Sequence, residues 1–285
     1  MRVKKIGVVG AGIMGRGIAQ VAVQAGFHTV LQDVDAKQIE AARAQIRQSW
    51  DKGVELKKLS QAEVDDAAQH LETAATVADA ARGADLVIEA APENMVLKLQ
   101  IFAELDRHAP AGAILASNTS SLSITEMAGA THRAERVLGL HFFNPVPRMK
   151  LLEVVRALET DDDTLHAVLD VAHRMHKEPV VVRESPGFVT TRINAMIGNE
   201  AFYMLQEGVA SAQDIDKALK LGLNHPMGPF ELVDLVGLDT RLSILEYLHR
   251  SLGEKFRPAP LLVQHVKAGR LGKKVGRGVY EYDTE

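Results

Sequence analysis

His141 and Glu153, twelve residues apart and flanking the segment Phe142-Phe143-Asn144-Pro145, are the residue types in this chain best matched to proton-coupled redox chemistry. An alcohol gives up hydride only when a base removes its hydroxyl proton. A neutral imidazole, with an ordinary pKa of about 6.5, suits that work near neutral pH. A nearby carboxylate would orient the ring and stabilise the imidazolium. A histidine ahead of Asn-Pro also occurs as a satisfied structural donor at a strand end, so the meaning of the pair rests on what positions it.

Residues 3–9 read as a buried strand, after which Gly10-Ala11-Gly12-Ile13-Met14-Gly15 opens an apolar helix running to about Gln24. Gly10 permits the tight turn, Gly12 lets backbone approach a pyrophosphate, and Gly15 allows close packing of helix on strand. The helix N-terminus then faces the phosphates, with Ile13 and Met14 completing the cofactor loop. A second strand, 28–32, ends at Asp33, eighteen residues after Gly15. A carboxylate there would bind both ribose hydroxyls and favour NAD over NADP. The other reading of Asp33 is a cap for the helix starting near Ala36, a task for which Asp35 is better placed.

Helices are expected over 36–51 and about 61–70, joined by a stretch carrying Lys52, Lys57 and Lys58. That basic run is either a solvated face or a grip for an anionic ligand. Strands follow near 71–74, 85–90, 113–117 and 136–141, with helices at about 76–81 and 94–107 between them. Such alternation predicts an α/β fold with a Rossmann-type doubly wound, mostly parallel sheet, whose ligands bind beyond the carboxyl ends of the strands. Glu93 and Lys98 follow one strand there, Ser117-Asn118-Thr119-Ser120-Ser121 the next, and His141 the one after. Ser121 and Ser123 also read as caps for a short helix near 124–128.

Two more strands, 151–156 and 178–182, flank a helix at 163–176, and Ser185-Pro186-Gly187 ends the alternation. Beyond it the chain reads as all helical, near 188–206, 211–221, 229–235, 239–252 and 259–268. The expected division is therefore 1–184, binding NAD, and 185–285, helical. The apolar run Phe188, Val189, Ile193, Met196, Ile197, Ala201 and Met204 fits either an interface or core packing within one subunit.

Composition narrows the partners. The chain has 285 residues, 46% hydrophobic and 25% charged, with formal net charge -4. These values match an ordinary globular protein with no large basic surface for nucleic acid. No cysteine is present, which excludes disulfides and thiolate metal sites, and the eleven histidines show no HExxH spacing, so no metal is expected. No apolar run is long enough to span a membrane, and the N-terminal run is too short and glycine-rich for a signal segment. A cytoplasmic protein is expected.

The motifs, in order, resemble those of the L-3-hydroxyacyl-CoA dehydrogenase family, most of all its short 3-hydroxybutyryl-CoA dehydrogenase members. The resemblance covers essentially the whole chain. It rests on GAGIMGRGIAQ at 10–20, HTVLQD at 28–33, IEAAPEN at 88–94, SNTSSL at 117–122 and HFFNPVPRMKLLEV at 141–154. It continues through SPGFVTTRI at 185–193, LGLNHPMGPFELVDLVGLD at 221–239 and GRLGKKVGRGVYEY at 269–282.

The resemblance implies reversible oxidation of the (S)-3-hydroxyl of an acyl-CoA with NAD(H). It makes His141 the base, Glu153 its partner, and Ser120 a donor to the substrate oxygen that also touches the cofactor. The matching cofactor positions are Gly10, Gly12, Gly15, Asp33, Glu93, Lys98, Asn144 and Lys274. Ser49 falls where family members touch coenzyme A, but Leu56 stands where a lysine is expected, with Lys52 and Lys57 nearby. Many relatives carry asparagine where this chain has Thr191, whose hydroxyl keeps one donor but not an amide's separate donor and acceptor ends. Asn194, one helical turn on, is a fallback. The family also implies a homodimer joined through the helical domain. Two rival readings stand beside this one: an NAD-dependent dehydrogenase of a free hydroxy acid or sugar acid, and a dinucleotide-binding protein without catalysis.

Overall fold

The computed structural model describes residues 2–283. The chain divides into two compact units, Met1–Ser185 and Pro186–Glu285. In the first, an eight-stranded sheet runs in the order β3-β2-β1-β4-β5-β6-β7-β8. Its dinucleotide-binding start is β1 (Lys5–Val9), α1 (Ile13–Gln24) and β2 (His28–Gln32), followed by α2 (Ala36–Glu55), α3 (Gln61–Gln69) and β3 (Leu71–Ala74). The other side of β1 is built from α4 (Val77–Ala81), β4 (Leu86–Glu89), α5 (Met95–His108), β5 (Ile114–Ser117), α6 (Ile124–Ala128) and β6 (Val137–Phe142). The last elements are β7 (Leu151–Arg156), α7 (Asp162–Arg174) and β8 (Glu178–Arg183).

Strands β4, β5 and β6 are buried along their whole length. Such continuous apolar strands are what a parallel sheet covered on both faces requires. Ile18 and Ala22 of α1 pack with Ile6, Val8, Leu31 and Ile88 in the core. The helix can start so close to β1 only because residue 15 is glycine: a Cβ there would lie 1.7 Å from the Gly10 carbonyl oxygen. Gly10 itself has φ +98°, a conformation that L side chains rarely adopt.

The glycine turn expected between β1 and α1 is present at Gly10-Ala11-Gly12, with the helix beginning at Ile13. Two local expectations are corrected. Helix α2 continues to Glu55 and carries Lys52 on the helix, while Lys57 lies beyond its end with φ +54°. Ser123, not Ser121, caps α6, accepting from Glu126 N at 3.1 Å. Strand β7 is the one departure from parallel pairing, running antiparallel to β6. The connection 143–150 is too short for the crossover that a parallel neighbour needs, so the chain turns straight back.

The second unit comprises α8 (Thr190–Gln206), α9 (Ala212–Gly222), α10 (Pro229–Val236), α11 (Leu238–Leu252) and α12 (Pro260–Lys267). Phe202, Phe230, Leu238, Leu245 and Phe256 form its core. Helix α8 starts two residues later than expected, because Gly187 and Phe188 both have positive φ. The Gly278–Tyr282 segment is tied to two buried carboxylates: Asp234 accepts from Val279 N, Tyr280 N and the Tyr282 hydroxyl, and Asp216 from the Tyr280 hydroxyl. Among the described residues no helix is long and apolar enough to cross a membrane.

Candidate active site

The antiparallel register of β6 and β7 sets His141 directly opposite Glu153. Residues facing each other across such a pair have Cβ atoms about 5 Å apart, within reach of a direct bond between these two side chains. His141 Nδ1 lies 2.7 Å from Glu153 Oε2, with His141 5% and Glu153 1% exposed. A carboxylate at Nδ1 favours the tautomer carrying its proton there, which puts the ring's lone pair on Nε2. The twelve-residue spacing is thus the length of a strand end, a loop and the returning strand. Asn118, just past β5, accepts from Phe142 N through Oδ1 at 2.9 Å and ties that strand end to its neighbour.

Ser120 sits on the loop after β5, its N–H donating to Glu93 Oε1 at 3.1 Å, and the Thr119 hydroxyl donates to the same oxygen. Glu93 Oε2 faces Lys98 Nζ at 3.5 Å. Lys98 is itself 1% exposed and bonds Glu89 Oε1 at 2.6 Å, while the Ser117 hydroxyl donates to Glu89 Oε2 at 2.6 Å. Glu89 is not among the site residues expected from the sequence. The available signal was a glutamate closing the otherwise apolar strand Leu86–Glu89, with a lysine on the apolar face of the next helix. Buried charges of this kind persist only when paired. The resulting network fixes the start of α5 to the Ser120 loop.

At the other end of the strand order, Asp33 Oδ2 accepts from Ala11 N at 2.8 Å and Oδ1 from Asp35 N at 3.0 Å. Asp35 caps α2 through Lys37 N, so Asp33 is not the cap and instead braces the glycine turn. The first turn of α1 has no side-chain cap and no acidic residue, and a Cβ at Gly12 would meet nothing within 4 Å. Uncapped amides opening onto clear space beside a carboxylate fit a dinucleotide's pyrophosphate and ribose. Ile13 is exposed and Met14 half-buried at this rim.

Asn144 lies exposed on the loop 143–150. That loop is held from beneath by Lys177, whose Nζ donates to the carbonyls of Val146 and Met149, and burial pushes the Lys177 ammonium below its usual pKa. Ser49 and Lys52 line a groove of about 490 Å³ together with Asn144, whereas Lys57 does not line it.

In the second unit, Thr191 is half-buried in the first turn of α8. Lys274 is held by Asp239, its Nζ 2.7 and 2.6 Å from the two carboxylate oxygens. Burial raises the Asp239 carboxyl, but the Lys274 ammonium together with the Thr240 N–H more than offsets this and holds it below the usual range.

The family model described as 3-hydroxyacyl-CoA dehydrogenase, NAD binding domain, matches residues 5–185, and that described as the C-terminal domain matches 187–282. A probable 3-hydroxybutyryl-CoA dehydrogenase of Bacillus subtilis (strain 168) is 49% identical over 286 residues, covering 100% of this chain and 99% of the relative. A 3-hydroxybutyryl-CoA dehydrogenase of Bradyrhizobium diazoefficiens is 46% identical, over 98% of this chain and 96% of its own. The crystal structure of an (S)-3-hydroxybutyryl-CoA dehydrogenase from Ralstonia eutropha superposes with a TM-score of 0.96 at 43% identity, covering 99% of this chain and all of the other. With both units matched along their length, this chain belongs to the 3-hydroxyacyl-CoA dehydrogenase family.

Proposed function

We propose that this protein oxidises the (S)-3-hydroxyl of a short acyl-CoA, 3-hydroxybutyryl-CoA foremost, to the 3-oxo thioester, reversibly and with NAD. The observation that carries this reading is the buried His141–Glu153 pair at the carboxyl end of β6, in a chain 46% identical to a 3-hydroxybutyryl-CoA dehydrogenase. NAD, when bound, accepts the hydride released from C3. His141 takes the hydroxyl proton on Nε2, and Glu153 holds the ring and favours the imidazolium. In the reverse direction the same nitrogen returns the proton to the substrate oxygen. Positioned proton transfer of this kind is worth roughly 10²–10⁴ in rate. Ser120 donates its hydroxyl to the substrate oxygen, where a preorganised donor adds a comparable factor.

Asp33 binds the ribose hydroxyls and disfavours a 2′-phosphate, and the glycine turn with Ile13 and Met14 holds the pyrophosphate. The family resemblance assigns further cofactor contacts to Glu93, Lys98, Asn144 and Lys274, and a substrate contact to Thr191. Since Lys98 is locked to Glu89, its contribution is to set the Glu93 and Ser120 backbone rather than to reach outward. We assign NAD binding to 1–184, and substrate binding and pairing of subunits to 185–285. Support for a homodimer comes from α8, where Ile193 and Met196 stay 55% and 38% exposed along one face. On composition we place the enzyme in the cytoplasm.

The test is a steady-state assay of acetoacetyl-CoA reduction followed by NADH absorbance, run beside NADPH and beside free acetoacetate. Efficient turnover with acetoacetyl-CoA and NADH is expected. Preference for free acetoacetate would establish a hydroxy-acid dehydrogenase instead, and preference for NADPH would remove Asp33 from the ribose site.

A further inference from the structure

We infer that Arg16 and Arg148 form, with Lys52, the grip for the phosphates of coenzyme A, supplying the positive charge that α2 lacks at Leu56. This rests on the acyl-CoA reading of the preceding subsection. The groove holding Ser49 has three walls, and each brings one cation: Arg16 from α1, Lys52 from α2, and Arg148 from the loop 143–150. Among the described residues no carboxylate lines it. In a chain with 37 acidic and 33 basic residues, three cations without an acid in one groove run against the overall balance. None of the three makes an ion pair among the described residues. Like charges so gathered repel one another, and an anion bound among them relieves that repulsion. A diphosphate with a 3′-phosphate nearby is an anion of that extent.

The groove is also built to hold its shape. Arg16 and Gln20 lie one turn apart on the same face of α1, as do Ser49 and Lys52 on α2. Buried Gln20 donates from Nε2 to Ser49 Oγ at 3.0 Å, so the serine's own hydrogen turns to another acceptor, such as a phosphate or pantetheine oxygen. The loop carrying Arg148 presses Val146 onto α1 at Gly17, where a Cβ would lie 2.9 Å from Val146 Cβ, and Lys177 tethers it at Val146 and Met149. A cation on a tethered loop needs less ordering when the ligand arrives. Lys57, expected as a substrate contact, stands outside this groove, and Leu56 is 56% exposed past the end of α2.

The test compares acetoacetyl-CoA with acetoacetyl-pantetheine, the same thioester without nucleotide phosphates, in wild type, Arg16→Gln, Arg148→Gln and the double variant. The preference in kcat/KM for acetoacetyl-CoA should fall roughly tenfold for each arginine removed, the order expected for one charged hydrogen bond. The loss should appear in KM and shrink as salt is raised. Arg43→Gln, an exposed arginine of α2 outside the groove, should keep the wild-type preference. An unchanged preference in the double variant, an equal loss on both thioesters, or a loss confined to the KM for NADH would overturn the inference. These outcomes leave the acyl-CoA reading standing, because wild-type enzyme still favours acetoacetyl-CoA over free acetoacetate. If wild type shows no such favour, that reading falls and the grip with it.

Discussion

Glu89 and Glu153 in the first unit and Asp216 and Asp234 in the second are all nearly fully buried, yet their partners differ in kind. Glu89 meets the Lys98 ammonium and Glu153 meets an imidazole. Asp216 meets the N–H groups of Phe230 and Glu231 and the Tyr280 hydroxyl, and Asp234 meets two N–H groups and the Tyr282 hydroxyl. A carboxylate facing a titratable ring can share in moving a proton. One facing amides and phenols acts as a rivet: burial, joined by the bond to its aspartate, pushes each tyrosine above the ordinary phenol range and keeps its proton in place. Both arrangements satisfy the rule that buried polar groups be bonded, and only the first includes a group able to exchange a proton near neutral pH.

The contrast can be broken most forcefully at His141. His141→Gln should cost roughly 10²–10⁴ in kcat while leaving NADH binding intact, and Glu153→Gln should be impaired in the same parameter. Steady-state kinetics beside a fluorescence titration with NADH would show it; near-normal kcat in either folded variant would move the base elsewhere. The rivets should behave in the opposite way. Asp234→Ala strands three donors and should lower unfolding stability by about 3 kcal/mol or more, read as a fall in urea midpoint, with kcat of the remaining folded enzyme little changed. A large loss of kcat without loss of stability would erase the distinction between the two kinds of carboxylate.

Thr191 tests whether a hydroxyl does any of the work of an amide in the second unit. Thr191→Val removes the donor at nearly constant volume and should cost about 1–3 kcal/mol in kcat/KM for acetoacetyl-CoA, with Thr191→Ser mild. If Val is as active as wild type and Ser the more damaged, Thr191 only packs in the first turn of α8.

The smallest effect lies at Glu231, which the Lys220 ammonium and then the Gly228 N–H hold below its usual 4.5. A depressed carboxyl pKa adds stability above 4.5 and loses it as pH falls through the folded value. The side chain is 36% exposed, so solvent screens the pair and Glu231→Gln should cost only a few tenths of a kcal/mol at neutral pH. Urea melts of both proteins across pH 3–7 should converge at the acid end; a difference that grows on acidification would contradict the assigned direction.

Much of the first unit is legible in the chain itself. The glycine spacing of Gly10, Gly12 and Gly15, the acidic end of β2, and the buried runs of β4 and β5 are local patterns governed by sterics and period, and the structure repeats them within a few residues. The His141–Glu153 spacing was readable as a pair, though not the reason for it, because antiparallel pairing depends on a loop too short to cross over.

What local pattern cannot contain is which distant segment supplies a partner. Tyr280 reaches Asp216 across 64 residues, Lys98 turns inward to Glu89, and Arg16, Lys52 and Arg148 share a groove only because α1, α2 and the loop 143–150 pack together. The amino-acid sequence alone determined the order of elements and the residue types available for chemistry. Tertiary structure decided which charges are buried and paired and which share a groove outside any ion pair among the described residues, since desolvation and distance set that outcome and both exist only once the chain is folded.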